Sequence, residues 1–160
     1  MSDIVVDGTV KVWWVPTIAN IAAPTLDELA AGIPLETILT RDGLMGFKAE
    51  TAAVDNTSLA SKFDTALAGM ASFSGTGLRL KKQTGGDTPY ATLTRNTEGN
   101  LVIRRSIDVA TAAIAAQEVQ VYPSICGETS WMEAEKNTTD RYEVPLFMAS
   151  EPELRAVLAA

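Results

Sequence analysis

Few residues in this chain have types suited to chemistry, and their spacing fits none of the common reactions. There are no histidines, which removes the usual general base, the usual transition-metal ligand and every Ser-His or Cys-His nucleophile pair. The lone cysteine, Cys126, stands before Gly127 with no base to ionise it. It reads as a small buried hydrophobe, and by itself it cannot form an internal disulfide. The acidic pairs Glu133/Glu135 and Asp27/Glu28 have the residue type used in glycoside hydrolysis, but no cluster of cleft aromatics accompanies them, so they read as solvated or helix-capping carboxylates. The glycines of SGTG (74–77) and TGGD (84–87) lack the Gly-Lys-Ser/Thr of a phosphate loop and the strand-glycine-helix setting it needs; they read as turns. No catalytic residue, cofactor site or metal site is expected.

Charge points the same way. Twenty acids against 13 bases give a net charge of -7, opposite to what a protein gripping phosphates carries. Lys81-Lys82 and Arg104-Arg105 are short basic pairs without interleaved aromatics, read as solvated strand faces or interface ion pairs. Trp13 and Trp14 face opposite sides of one strand, so one belongs to the core and the other to a second core layer or an intersubunit contact.

The elements that would position these residues are mostly short strands. TVKVWWV (9–15) places Val10, Val12 and Trp14 on one face and Lys11, Trp13 and Val15 on the other. Behind Pro24, Thr25 and Glu28 form a T-x-x-E capping box with Gly32 as the stop, which predicts a helix over 26–31. LETILT (35–40), LRLKK (78–82), LVIRR (101–105), EVQVYP (118–123) and RYEVPLFM (141–148) read as strands, the third and fourth able to pair as a hairpin. Pro145 cannot donate to a ladder, which puts the last of them at an edge or a bulge. TGGD and EGN (98–100) read as turns. Thr88 as N-cap with Pro89 as first helical residue predicts a short helix to about Thr94, and SEPELRAVLAA reads as a short amphipathic helix with Leu154 and Leu158 on one face.

This pattern predicts a mainly β fold, a two-sheet β-sandwich or open barrel with one or two short helices. A chain of 17.0 kDa is expected to form a single domain over 1–160 with about 7,700 Å² of accessible surface. MSDIVVDG shows no secretory signal and no window suits a membrane span, so a soluble, cytoplasmically made protein without a membrane anchor is expected. Residues 41–75 stand apart as a long region of weak periodicity, longer than compact domains keep without a function.

Taken together in order, KVWWVPTIANIAAPTLDELAAG, DNTSLASKFDT and LVIRR...EVQVYPS...RYEVPLFMASEPE make the chain, over about residues 9–155, resemble the major tail protein (tail tube protein) of long-tailed phages that infect actinobacteria. The resemblance implies two packed β-sheets with a flanking helix. It also implies six copies in a ring, with rings stacked into a hollow tube in the virion tail. Its partners would be other copies of itself, the tape measure protein in the lumen, the tail terminator and distal tail proteins, and genomic DNA passing through without specific binding.

Within that frame residues 42–66 are expected to form an extended inter-subunit arm. Asp55, Asn56, Thr57, Ser58 and Asp64 are its polar contacts, and Leu59 and Phe63, at i,i+4 spacing, its apolar anchors. A local helix capped by Asp55 is the alternative for this segment. Leu154 and Leu158 are a second candidate contact, together with MSDIVVD. Two rival functions remain open: a tube subunit of a contractile or secretion-type injection system, and a monomeric ligand-binding β-sandwich in which Trp13 or Trp131 stacks on a flat ligand.

Overall fold

The computed structural model describes residues 1–160. Eleven strands and two short helices form it: β1 (Lys11–Val15), α1 (Leu26–Ala30), β2 (Ile33–Pro34), β3 (Leu39–Met45), β4 (Glu50–Asp55), β5 (Ala66–Ser72), β6 (Gly77–Lys81), α2 (Thr88–Thr92), β7 (Glu98–Arg104), β8 (Glu118–Cys126), β9 (Ser130–Trp131), β10 (Arg141–Met148) and β11 (Glu153–Val157). Nine of the strands make one sheet in the order β2-β1-β7-β8-β10-β6-β3, with β11 on β8 and β9 on β10. The sheet curls into an open half-barrel, and β4 and β5 form a separate two-stranded sheet. No helix is long and apolar enough to cross a membrane.

Alternation along the strands builds two cores. Val12 and Trp14 of β1 join Leu78, Leu80, Leu101, Ile103, Tyr122, Tyr142, Val144 and Leu146 inside the curl. On the convex face, Trp13 and Val15 meet Val102, Val119 and Val121, covered by Leu29 of α1 and by Ala156 and Leu158 near the C-terminus. A strand buried on both faces is apolar throughout, which is why β1 reads VWWV without a polar break. Trp13 is 6% exposed, so it is second-layer core.

The capping box forms as expected: Thr25 accepts from the Glu28 N–H, and the Glu28 carboxylate accepts from the N–H groups of Thr25 and Ala19, each at 2.8 Å. β7 and β8 pair as a hairpin from Glu98↔Ile125 to Ile103↔Gln120. Pro145 lies where β10 changes partners. Residues 141–145 pair with β6, while on the other side the ladder passes from β9 at residues 142–143 to β8 at residues 146–148. In an antiparallel strand a residue's N and O point the same way, and the Pro145 carbonyl accepts from Gly127 N–H. The missing N–H therefore faces that gap and leaves no ladder bond unmade.

Four local expectations are corrected. The strand expected at 35–40 starts instead at Leu39, because Leu35 is buried in a turn whose carbonyl accepts from the N–H groups of Ile38 and Leu39. Glu98, Gly99 and Asn100 are strand, not turn. Gly99 is there because a Cβ would come within 2.5 Å of the buried Trp14 ring. Gly99→Ala is expected to cost about 1–3 kcal/mol through overpacking, measured as a lowered unfolding midpoint. The N-cap of α2 is Asp87 rather than Thr88. The C-terminal segment is strand β11 on β8 rather than a helix, because β8 offers a free edge there; the register shifts between Glu153 and Ala156, so Leu154 stays at the surface while Ala156 and Leu158 are buried.

Arg104 is corrected as well. Far from lying on a solvated face, it is wholly buried. Its guanidinium donates to the carbonyls of Asp108, Thr111 and Ala112 and to Gln117 Oε1 at 2.9–3.3 Å, with the Trp13 ring 5.9 Å away. Burial pulls its pKa below the ordinary value, against the fields of Glu36 and Asp108. The loop of residues 106–117 is thus folded around one cation.

Candidate assembly surface

The arm expected at 42–66 is placed differently: residues 42–45 belong to β3 in the main sheet, and the separate element is the β4–β5 hairpin, residues 50–72. Its register runs from Glu50↔Ser72 to Asp55↔Ala66, with a bulge between Thr51 and Ala53. Gly69 sits where a side chain would meet Val54 and the Ala52 carbonyl. Neither face of the hairpin is covered, and every residue of it but Gly69 is exposed along β4 and β5. That explains the weak periodicity of the sequence here, because periodicity records a buried face and this element has none.

Between the strands lies the tip, residues 56–65, and no helix forms in it. Asp55 Oδ1 accepts from Thr57 N–H at 2.8 Å, and Thr57 Oγ1 accepts from Thr65 N–H at 2.9 Å. Asn56 N–H donates to the Thr65 carbonyl, and Ser61 N–H to that of Ser58. The hydrogen bond from Thr57 N–H holds the Asp55 carboxyl below its usual range. The side chains of Asp55, Thr57 and Ser61 are thus satisfied inside the loop. Leu59 and Phe63 are left fully or mostly in solvent, and Asn56, Ser58 and Asp64 make no side-chain hydrogen bond.

More exposed apolar surface continues from the hairpin onto the barrel. Val54, Leu67 and Met70 are exposed on the arm, Phe147 and Leu154 beside its base. Between them lies a groove of about 690 Å³ that includes Met70, Phe73, Phe147, Met148, Glu151 and Leu154. Leu158, named with Leu154 as a C-terminal contact, is instead buried in the convex-face core, which leaves Leu154 alone at the surface. The N-terminal residues Ile4, Val5 and Val6 are exposed without regular structure.

The whole chain exposes 10135 Å², about 2,400 Å² more than a compact monomer of this mass. A standard protein interface buries roughly 1,600 Å² in total. The excess is about three times the roughly 800 Å² that one partner contributes to such an interface.

The remaining chemical candidates are occupied structurally. Cys126 is buried in the core, and burial pushes its thiol up to about 11. Glu135 faces Arg141 at 3.5 Å, and Glu28 caps α1. No group of three or more acidic or cysteine side chains is gathered closely enough to hold a metal. Trp131 is 52% exposed but packs on Tyr90 and Tyr142 at 5.7 and 6.2 Å, and Lys82 Nζ covers the Tyr90 ring at 3.9 Å.

Beneath that aromatic group, Asp87 is the residue the sequence reading missed, hidden in a stretch taken for a plain turn. Burial alone would raise its carboxyl pKa. The N–H groups of Gln83 and Tyr90 and the Lys82 ammonium 3.2 Å away together outweigh this and hold it below the ordinary 3.8. A depressed carboxyl stabilises the fold above its unfolded pKa and loses that contribution as pH falls through the folded value. Acid titration of the wild type is therefore expected to destabilise the protein below about pH 4, and Asp87→Asn to flatten that part of the stability curve. Denaturant midpoints at pH 7 and pH 3 check both.

A family model described as phage tail tube protein matches residues 1–160. Among solved structures, a chain of the cryo-EM structure of the anti-feeding prophage (AFP) baseplate, 6-fold symmetrised, superposes with a TM-score of 0.64 at 11% identity, covering 98% of this chain and 98% of that one. At this identity the likeness is one of fold. No curated protein matches the chain.

Proposed function

Because the chain belongs to the phage tail tube protein family, and is thus a structural component of a phage tail, we propose that it is the repeating subunit of the tube itself. Copies close into rings and the rings stack into a conduit around the tape measure protein, through which the genome later passes. The observation that carries this reading is a two-stranded hairpin uncovered on both faces, in a chain with surplus accessible surface. Two strands alone are marginal in water, and a partner copy supplies the cover they lack. The six-fold symmetry of the structure it resembles supports six copies per ring.

The work assigned to the surface residues is packing. Leu59 and Phe63 are anchors between copies, Asp55 and Thr57 hold the tip in shape, and Asn56, Ser58 and Asp64 rim the contact. Leu154 flanks the arm's base. No catalytic role belongs to this assignment. The net charge of -7 suits a conduit, since each wall cation that paired with a phosphate would add affinity and hence drag on the moving duplex. Negative-stain microscopy and sedimentation of concentrated protein test the reading: rings and tubes are expected. A strict monomer whose Trp131 fluorescence is quenched by a small ligand would instead establish the binding-module alternative.

A further inference from the structure

The hairpin carries an apolar knob at one end and an apolar groove at the other. At the tip, Leu59 and Phe63 project into solvent with Lys62 beside them, and at the base Met70, Phe147 and Leu154 flank the groove with Glu151 at its rim. Lys62 and Glu151 have no ion-pair partner within the chain. The strands between are paired along their length, and five residue steps of about 3.3 Å hold the tip roughly 17 Å from the base. A chain therefore cannot fill its own groove.

We propose that the tip of one copy seats Leu59 and Phe63 in the groove at the hairpin base of a neighbouring copy, with Lys62 against the neighbour's Glu151. This rests on the assembly reading above and names the surface that receives the arm. The argument is threefold: matched apolar character; the tip's one cation, Lys62, against the free acid Glu151, with the tip's own unpaired Asp64 left at the rim; and surplus surface ample for one such contact. Knob and groove are different patches, so the contact is heterologous, and each copy offers one of each. Such contacts propagate into rings or open stacks rather than stopping at a pair.

Mixing two single variants, Phe63→Cys and Met70→Cys, tests the contact directly. Both positions are exposed, so both variants are expected to fold, and the buried Cys126 does not compete. Mild oxidation of the mixture is expected to give a covalent dimer on a non-reducing gel, several-fold above either variant alone. In parallel, Lys62→Glu or Glu151→Lys should each raise the concentration at which polymer appears about tenfold, and the double exchange should bring it back. Tubes that form without the mixed dimer overturn the groove assignment and leave the tube reading intact. A mixed dimer from protein that never makes rings or tubes upholds the contact and overturns the tube reading. If Val5→Cys, rather than Phe63→Cys, links to Met70→Cys, the N-terminal segment occupies the groove and the proposal falls.

Discussion

Arg104→Ala is expected to remove about 3–5 kcal/mol of stability, since it opens a cavity and takes the donor from four acceptors at about 1–3 kcal/mol for each left unsatisfied, and to lower the melting temperature by roughly 6–20 °C in a chain of this size. The guanidinium is wholly buried, and four acceptors from the loop of residues 108–117 converge on it. Truncation takes the shared donor from those acceptors, opens a cavity beside Trp13 and leaves the loop held only by contacts such as Val109 N–H to the Gly8 carbonyl, Ala116 N–H to the Leu158 carbonyl and Ala113 on the convex-face core. Arg104→Lys recovers only part of the loss, because one ammonium cannot reach acceptors spread around a planar fork. Arg104→Met restores the stem's packing without the hydrogen bonds and should fall between. Urea denaturation followed by tryptophan fluorescence measures the series, and a loss below about 1 kcal/mol for alanine would show that water replaces the guanidinium at no great cost.

Replacing the tip, residues 56–65, by Asn-Gly is expected to abolish polymerisation while leaving the fold intact. Asp55 and Ala66 are direct cross-strand neighbours, so a two-residue type I′ turn closes the hairpin in its native register. None of the tip's side chains enters either core, and the melting temperature should stay within a few degrees of wild type. What is lost is Leu59 and Phe63. Phe63→Ala alone is expected to raise the polymerisation threshold roughly 10- to 30-fold, as loss of a central aromatic anchor does. Sedimentation and negative-stain microscopy report both, and tubes of normal length from the Asn-Gly variant would remove the tip from any role between copies.

The barrel was legible because its signals are local and physical. The Thr25/Glu28 box reports a cap that forms from neighbouring residues, and VWWV reports a strand buried on both faces. Errors arose where one pattern serves two structures. Gly99 and Asn100 have turn composition, yet Gly99 is a strand residue whose missing side chain makes room for Trp14. Leu154 and Leu158 suggest one face of a helix, yet the irregular pairing of β11 on the open edge of β8 puts the first at the surface and the second in the core. Arg104 and Arg105 look equivalent in sequence, while alternation along β7 buries the first and leaves the second to Gln120. The separate hairpin was recognisable as a region apart by what it lacked. Of its polar tip residues, Asp55, Thr57 and Ser61 bond within the tip while Asn56, Ser58 and Asp64 keep free side chains, a division that no spacing rule shows.

The C-terminal strand also orders events during synthesis. Ala156 and Leu158 belong to the convex-face core, and the N–H groups of Val157 and Ala159 donate to the carbonyls of Ala22 and Pro24 beside α1. The cover over Trp13 and Val15 is thus completed by residues translated long after α1 itself, a contact of high sequence separation that forms slowly. The arm, by contrast, pairs between strands close in sequence and has left the ribosome well before that closure. A nascent chain therefore displays its exposed apolar hairpin before the body that carries it is sealed, and the interval between the two is when such surface is most open to premature association.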